Sequence, residues 1–217
     1  MTDRRTGLRE QKKQATREAL RAAALRLAVE RGPDNVRVDD IAEAAGVSPR
    51  TYNNYFSSRD QAIIAAVTAE REARVAAAVT ARLADASLAE AVVAAVVEQY
   101  TAPDDRARGA MLLITGRSSL RNAFVESAAA MEDPLAAVFA EQLKGDDDLS
   151  AQVLAASVSA AVRVALRRWL RAATESTSSG GLVVPSGSLP DLLRAALAPL
   201  VPALDAVGKG PRPRRRR

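Results

Sequence analysis

The chain is predicted to be all-α, with a small N-terminal three-helix domain leading into a larger helical body. Three observations predict this. Apolar residues make up 48% of the 217 residues but aromatics only 3%, so Ala and Val supply most of the core and favour close-packed helices over strands. Apolar side chains recur at three- and four-residue intervals, which places them on one face of a helix. Gly and Pro cluster at a few positions and cut these runs into helix-sized pieces.

The first helix is expected from Glu10 to Arg31, with Leu20, Ala24, Leu27 and Ala28 on its buried stripe. Residues 1–9 read as a mobile lead-in, and Arg4, Arg5, Arg9, Lys12, Lys13 and Arg17 make a basic arm. Gly32-Pro33-Asp34-Asn35 ends the helix with turn residues, and Val36 and Val38 pack beneath the next two helices. The stretch Val38 to Asp60, VDDIAEAAGVSPRTYNNYFSSRD, is the most informative in the chain. Ile41, Ala42 and Ala45 give a short helix an apolar face, and Gly46 stands where the chain leaves it in a left-handed conformation. Val47 packs the turn, Ser48 is an N-cap, and Pro49 occupies the first position of a second helix expected to run to Phe56. Arg50, Thr51, Asn53 and Asn54 lie near its N-terminus. Arg and Asn pair bidentately with guanine and adenine edges in the major groove. A short helix presenting them after a compact turn is the helix-turn-helix arrangement, whose expected partner is double-stranded DNA; the alternative is an ordinary helical hairpin with a solvated polar surface.

The same window resembles the N-terminal domain of the tetracycline-repressor-like (TetR) family. The likeness is carried by Ile41-Ala42, Ala45-Gly46-Val47-Ser48, Thr51, Tyr55-Phe56, Ser58 and the Arg59-Asp60 pair. Asn53 departs from the family's usual large residue, Arg59 from its Lys, Arg37 from its capping Ser or Thr, and Ala28 from its Phe. The resemblance implies a helix-turn-helix DNA-binding domain over residues 1–59, a helical ligand-binding and dimerisation domain over 60–207, and a basic tail over 208–217. It implies a transcriptional regulator, most commonly a repressor. It places Ser48, Arg50, Thr51, Asn53, Asn54, Tyr55 and Arg59 on positions used for DNA. Side-chain chemistry divides these: Arg50, Asn53 and Asn54 are expected at base edges, whereas Thr51, Tyr55, Arg59 and Arg37 are expected to hold phosphates. Tyr52 and Phe56 alternate inward and are expected in the core.

Beyond the motif, Ser58 reads as the N-cap of a long helix reaching about Ala84. Further helices are expected over about 88–101, 106–119 and 120–144, the last kinked or divided at Pro134. Gly145-Asp146-Asp147-Asp148 precedes a long helix from Leu149 to about Thr174, and its carboxylates favour the positive end of the dipole. They lack the ligand spacing of a calcium loop, so no metal is expected. Residues 175–189 form a Ser/Gly-rich loop, and a final helix spans Pro190 to about Val207, bent at Pro199 and Pro202. Helices 149–174 and 190–207 are apolar on too many faces for one layer of neighbours. A second copy would cover them, giving a two-fold homodimer, as the resemblance also implies.

Charge and composition narrow the function classes. Residues 1–59 carry 12 Lys/Arg against 8 Asp/Glu, residues 60–206 carry 13 against 18, and residues 207–217 carry six basic residues and no acidic one. An acidic body between basic ends presents only part of its surface to a polyanion. With no His and no Cys, the chain excludes Ser-His and Cys-His catalysis, disulfides and the common zinc sites. No spacing singles out an Asp or Glu pair, so an enzyme is not expected, nor is a cofactor. The charged N-terminus and the lack of an uninterrupted run of roughly 20 apolar residues point to a cytoplasmic protein without a membrane partner. A sequence-independent binder driven by the basic ends is the alternative, with PRPRRRR at 211–217 either adding to DNA affinity or simply solvated.

For the body, the resemblance implies an effector pocket. Tyr100, Leu112, Leu113, Phe124, Met131, Phe139 and Trp169 are the candidate walls, although each taken alone also reads as an ordinary core residue. Arg117, Arg121, Arg163, Arg167 and Arg168 stand on otherwise apolar helices, where a charge needs a partner or the surface. Arginines near a pocket suit a lipophilic anion. The ALRRWLRA stretch resembles actinobacterial members, some of which respond to acyl-coenzyme A, so that small-molecule class is the expected effector.

Overall fold

The computed structural model describes residues 3–68, 71–101, 114, 117–143, 148–178 and 188–208. The helices are α1 (Asp3–Arg31), α2 (Val38–Ala44), α3 (Pro49–Tyr52), α4 (Arg59–Thr68), α5 (Arg71–Arg82), α6 (Leu88–Thr101), α7 (Ser118–Glu126), α8 (Glu132–Leu143), α9 (Asp148–Ser178), α10 (Leu189–Leu197) and α11 (Val201–Gly208). Among the described residues no strand occurs, and the all-α fold with an N-terminal helix-turn-helix is as expected. The chain separates into two compact units, one from Met1–Ala69 with Gly109–Ser127, the other from Glu70–Arg108 with Ala128–Arg217. This differs from the 59/60 boundary read from the sequence. The N-terminal helices are too few to bury a core alone, and α4 and α7 complete it with Ile63, Ile64, Leu120, Phe124 and Val125, all buried.

In the N-terminal unit, α1 begins at Asp3 rather than Glu10. The added turns contain Arg4, Arg5, Leu8 and Arg9, which favour helix, but also Thr6 and Gly7, which do not, so local propensity alone does not account for the earlier start. Leu20, Ala24, Leu27 and Ala28 are buried as expected. α2 ends in a Schellman motif: the Val47 N–H donates to the Ala42 carbonyl at 2.9 Å and the Gly46 N–H to the Glu43 carbonyl at 2.9 Å. Gly46 provides the required φ of 70°. α3 is only four residues long, shorter than the expected Pro49–Phe56. Past Tyr52 the chain tightens into three-residue turns, with Asn54 N–H on the Thr51 carbonyl at 3.1 Å and Tyr55 N–H on the Tyr52 carbonyl at 2.8 Å. Two consecutive Asn residues, poor helix formers, account for the early end.

Tyr52 holds this short helix to the core. Its ring is fully buried, lies 5.8 Å from the Phe56 ring, and its hydroxyl donates to the Ser58 carbonyl at 2.8 Å. Burial pushes its pKa up to about 12, with the Asp60 charge adding to the shift. Ser58 caps α4 as expected, its Oγ accepting from the Gln61 N–H at 3.1 Å, while Gln61 Oε1 accepts from the Ser57 N–H at 2.6 Å.

In the C-terminal unit, α6 starts in a capping box between Ser87 and Glu90, and buries Ala91, Val92, Ala95 and Val96. Pro134 does not kink a helix. It sits in the first turn of α8, where a missing N–H costs nothing, and the break falls earlier at the 3-10 turn Ser127–Met131. α9 packs on α8 and α10, burying Val158, Val162 and Leu166, and the buried Ser159 hydroxyl donates to the Ala128 carbonyl at 3.2 Å. It runs to Ser178, into the segment expected as a Ser/Gly loop, and residues 179–187 lie outside the described residues. A 3-10 turn at Ala198–Leu200 carries Pro199 and separates α10 from α11, as the paired prolines suggested. Over Asp148–Ala172, α9 is long and apolar enough to match a membrane span by length and composition, a property that core helices share, and 39% of its apolar window is buried. Scattered Ser, Gln and Arg interrupt the apolar run without lowering its mean hydropathy far.

Two outcomes are expected. Gly46→Ala places a Cβ in open space, so only the left-handed backbone opposes it, and chemical denaturation should show a loss of about 1–2 kcal/mol. A loss near zero would mean the turn does not need glycine. For Tyr52, a pKa raised in the folded state means its contribution is complete below the ordinary value of 10.0 and is lost as pH rises through about 12. Tyr52→Phe should therefore flatten the fall in stability across that window relative to the unaltered protein, and parallel curves would contradict the assignment.

Candidate nucleic-acid interface

The surface that would meet DNA is built from the turn upward. Ser48 caps α3 with its Oγ accepting from the Thr51 N–H at 3.1 Å, and the two hydroxyl oxygens lie 2.9 Å apart. The Thr51 hydroxyl is thus engaged in the cap, and the residue is half-buried. Arg50, Asn53 and Asn54 are exposed, and among the described residues their side chains make no hydrogen bond or ion pair. Tyr55 is half-buried beside them. A capped backbone holding unpartnered Arg and Asn side chains in water has groups ready to exchange solvent for base edges.

Arg37 is exposed at the N-cap of α2, and its side chain makes no capping bond, as its identity suggested. The bond is supplied from the other side: Asp40 Oδ2 accepts from the Arg37 N–H at 2.9 Å. The Arg37 guanidinium therefore remains available to a phosphate. Arg17 stacks over the Phe56 ring at 5.9 Å.

Arg59 has a different occupation from the one expected. Its guanidinium donates to the Asp34 carbonyl at 2.8 Å and the Val36 carbonyl at 3.0 Å, and reaches Asp34 Oδ1 at 3.8 Å and Asp60 Oδ1 at 3.4 Å. It ties the start of α4 to the loop before α2. Arg117, expected near an effector, also turns to Asp34: its Nε donates to Oδ2 at 2.9 Å and its NH2 lies 2.8 Å from the same oxygen. The hydrogen bond from Arg117 holds the Asp34 carboxyl below its usual range against the opposing effect of desolvation, and the charges of Arg117 and Arg59 add to the lowering. Arg117 is raised in turn, first by that hydrogen bond. Asp34 is the residue that sequence reading missed. Its one signal was its place in the Gly-Pro-Asp-Asn turn, since its ion-pair partners are distant in sequence.

The structure divides the other effector candidates between the two units. Arg121 and Phe124 join Arg117 in the N-terminal unit, where Phe124 is a core residue at 2% exposure. Tyr100, Met131, Phe139 and Trp169 belong to the C-terminal unit. There Met131 and Phe139 are buried, Trp169 is half-buried, and the Arg71 guanidinium lies 4.6 Å over the Tyr100 ring. Arg163 approaches Glu132 at 3.9 Å. Leu112 and Leu113 lie outside the described residues. A groove of about 660 Å³ in the C-terminal unit is lined by Val93, Val97 and Val201 with Arg82, Glu98 and Asp205 at its polar edge, and includes none of the expected wall residues.

Comparison with known proteins places the chain. Residues 20–66 match the family described as bacterial regulatory proteins, tetR family, and residues 86–205, more than half of the chain, match the MftR C-terminal domain. The HTH-type transcriptional regulator TcmR of Streptomyces glaucescens is 31% identical over 180 residues, which cover 78% of this chain and 80% of TcmR. The crystal structure of Thermus thermophilus FadR, a TetR family transcriptional repressor in complex with lauroyl-CoA, aligns with a TM-score of 0.46 at 18% identity, over 93% of this chain and 98% of that one. The first match spans the helix-turn-helix that presents Arg50, Asn53 and Asn54, and the second spans the helical body: the chain belongs to the TetR family of DNA-binding transcriptional regulators.

Proposed function

We propose that the protein is a ligand-responsive repressor that binds an inverted-repeat operator as a homodimer and is released by a small lipophilic or anionic effector. The observation that carries the DNA reading is the set of exposed, unpartnered Arg50, Asn53 and Asn54 side chains on a helix capped by Ser48 and anchored by Tyr52. In this reading those three address base edges, while Arg37, Ser48, Thr51 and Tyr55 line the phosphate path. Arg59 acts through the fold, by its bonds to the loop before α2, rather than on phosphate.

Dimerisation is supported by α9. Leu149, Val153 and Val164 are 72%, 55% and 56% exposed, and their spacing puts them on one face of that helix. Ala156 and Ala160 lie on the same face and allow close approach. Pairing with the same face of a second copy removes this apolar surface from water in an isologous contact. Two recognition helices then meet successive major grooves, about 34 Å apart. Effector binding is assigned to the C-terminal unit, where the half-buried Tyr100 and Trp169 can border an apolar molecule, and acyl-coenzyme A is one candidate of the lipophilic-anion class. An effector preferring a conformation whose two recognition helices miss the groove spacing lowers operator affinity by the coupling energy between the sites.

Asn54→Ala should cost roughly 1–3 kcal/mol on the operator and little on unrelated DNA, measured by titration at fixed salt. Equal loss on both duplexes would refute base reading by Asn54. The doubly substituted Val153→Glu, Val164→Glu protein should run as a monomer in light scattering at micromolar concentration, and an unchanged mass would remove this face from the dimer.

A further inference from the structure

Asp34 joins three parts of the N-terminal unit that are far apart in sequence. Its carboxylate stands in the loop between α1 and α2, with Arg59 from the start of α4 at one oxygen and Arg117 from the start of α7 at the other. Arg59 also satisfies two carbonyls of that loop, those of Asp34 and Val36. The loop leads directly into α2, whose first amide is already held by Asp40. One carboxylate thus stands at the entry to the recognition elements, shared by arginines of two later helices.

Arg117 differs from Arg59 in what it is attached to. It is the N-cap residue of α7, within the segment Gly109–Ser127, which belongs to the N-terminal unit although the chain on both sides of it belongs to the other unit. The segment is continuous in the chain with the C-terminal unit at both of its ends. The ion pair of Arg117 with Asp34 ties the segment back to the DNA-reading part of the unit, across 83 residues of sequence.

We propose that Asp34 is an ionic hub that positions the helix-turn-helix for DNA, and that Arg117 is the positioning residue through which α7 holds it. This rests on the DNA-reading function above. In the structure Asp34 is shared between Arg59 and Arg117, and loss of the Arg117 contact is the change expected to free the loop from α7. Because the groups are partly in water, the effect is on orientation and coupling more than on folding.

The full-length protein is first used to select duplexes from a random pool, and discrimination is the ratio of its affinities for the selected and a scrambled duplex at fixed salt. Asp34→Asn and Arg117→Gln are each expected to lower that ratio about three- to ten-fold. The double variant should fall no further than the worse single, because both changes open the same contact. Arg117→Lys, which keeps the charge, should recover part of the loss, and Arg26→Gln, which opens an exposed pair with Glu30 on α1, should cause none. Independently of DNA, amide hydrogen exchange over residues 33–45 should quicken in Arg117→Gln while α8 and α9 exchange as before. Discrimination unchanged in both single variants, or exchange over 33–45 unchanged in Arg117→Gln, overturns the hub. If the unaltered protein selects no sequence, the DNA-reading function fails by itself and the exchange measurement still decides the hub.

Discussion

A helix of four residues cannot hold its own direction, and the DNA-facing end of this protein depends on how that is overcome. α3 forms too few internal hydrogen bonds to be stable alone. Tyr52 supplies what is missing, because its ring is buried with Phe56 and its hydroxyl is tied to the Ser58 carbonyl just before α4. Burying that ring fixes one side of the helix to the core and leaves Arg50, Asn53 and Asn54 on the exposed side. The Schellman turn at Gly46 and the Ser48 cap then fix the entry. Free polar side chains on a fixed backbone combine low reorganisation on binding with unspent hydrogen-bonding capacity, which is what base reading requires.

Three arginines show how much context decides. Arg50 is unpartnered in water, Arg59 is drawn into carbonyls of its own chain, and Arg117 closes on Asp34. All three carry the same charge. Only the first is without a side-chain partner among the described residues, and the other two join elements far apart in sequence. The planar guanidinium suits this double use, since its several donors can reach carbonyl and carboxylate together.

The body obeys a different constraint. Ala, Val and Leu are so frequent in α9 that one side covers α8 and α10 while the other still presents Leu149, Val153 and Val164 to water. Along the sequence, the acidic excess of residues 60–206 separates the two basic ends, so apolar and basic character are concentrated in different segments.

Features made by neighbours in the chain were legible without coordinates. Gly46, Ser48 with Pro49, Ser58 with Gln61, and Pro199 act through bonds spanning three to five residues, so their residue types alone announce turns, caps and breaks. Likewise Tyr52 and Phe56 could be assigned inward by their spacing, and the helix-turn-helix by its run of identities. The early start of α1 was not legible, because Thr6 and Gly7 are poor helix formers, whereas the early end of α3 was announced by Asn53 and Asn54 and was overlooked. Nor could the sequence say that Arg59 and Arg117 share Asp34, or that Phe124 joins the N-terminal core. Those assignments bring together residues separated by tens of positions, and which distant side chains meet is settled only when the helices pack. The sequence determined the elements and the chemistry they carry; tertiary structure decided which distant side chains meet, closing Arg59 and Arg117 on Asp34 while Arg50 stays in water.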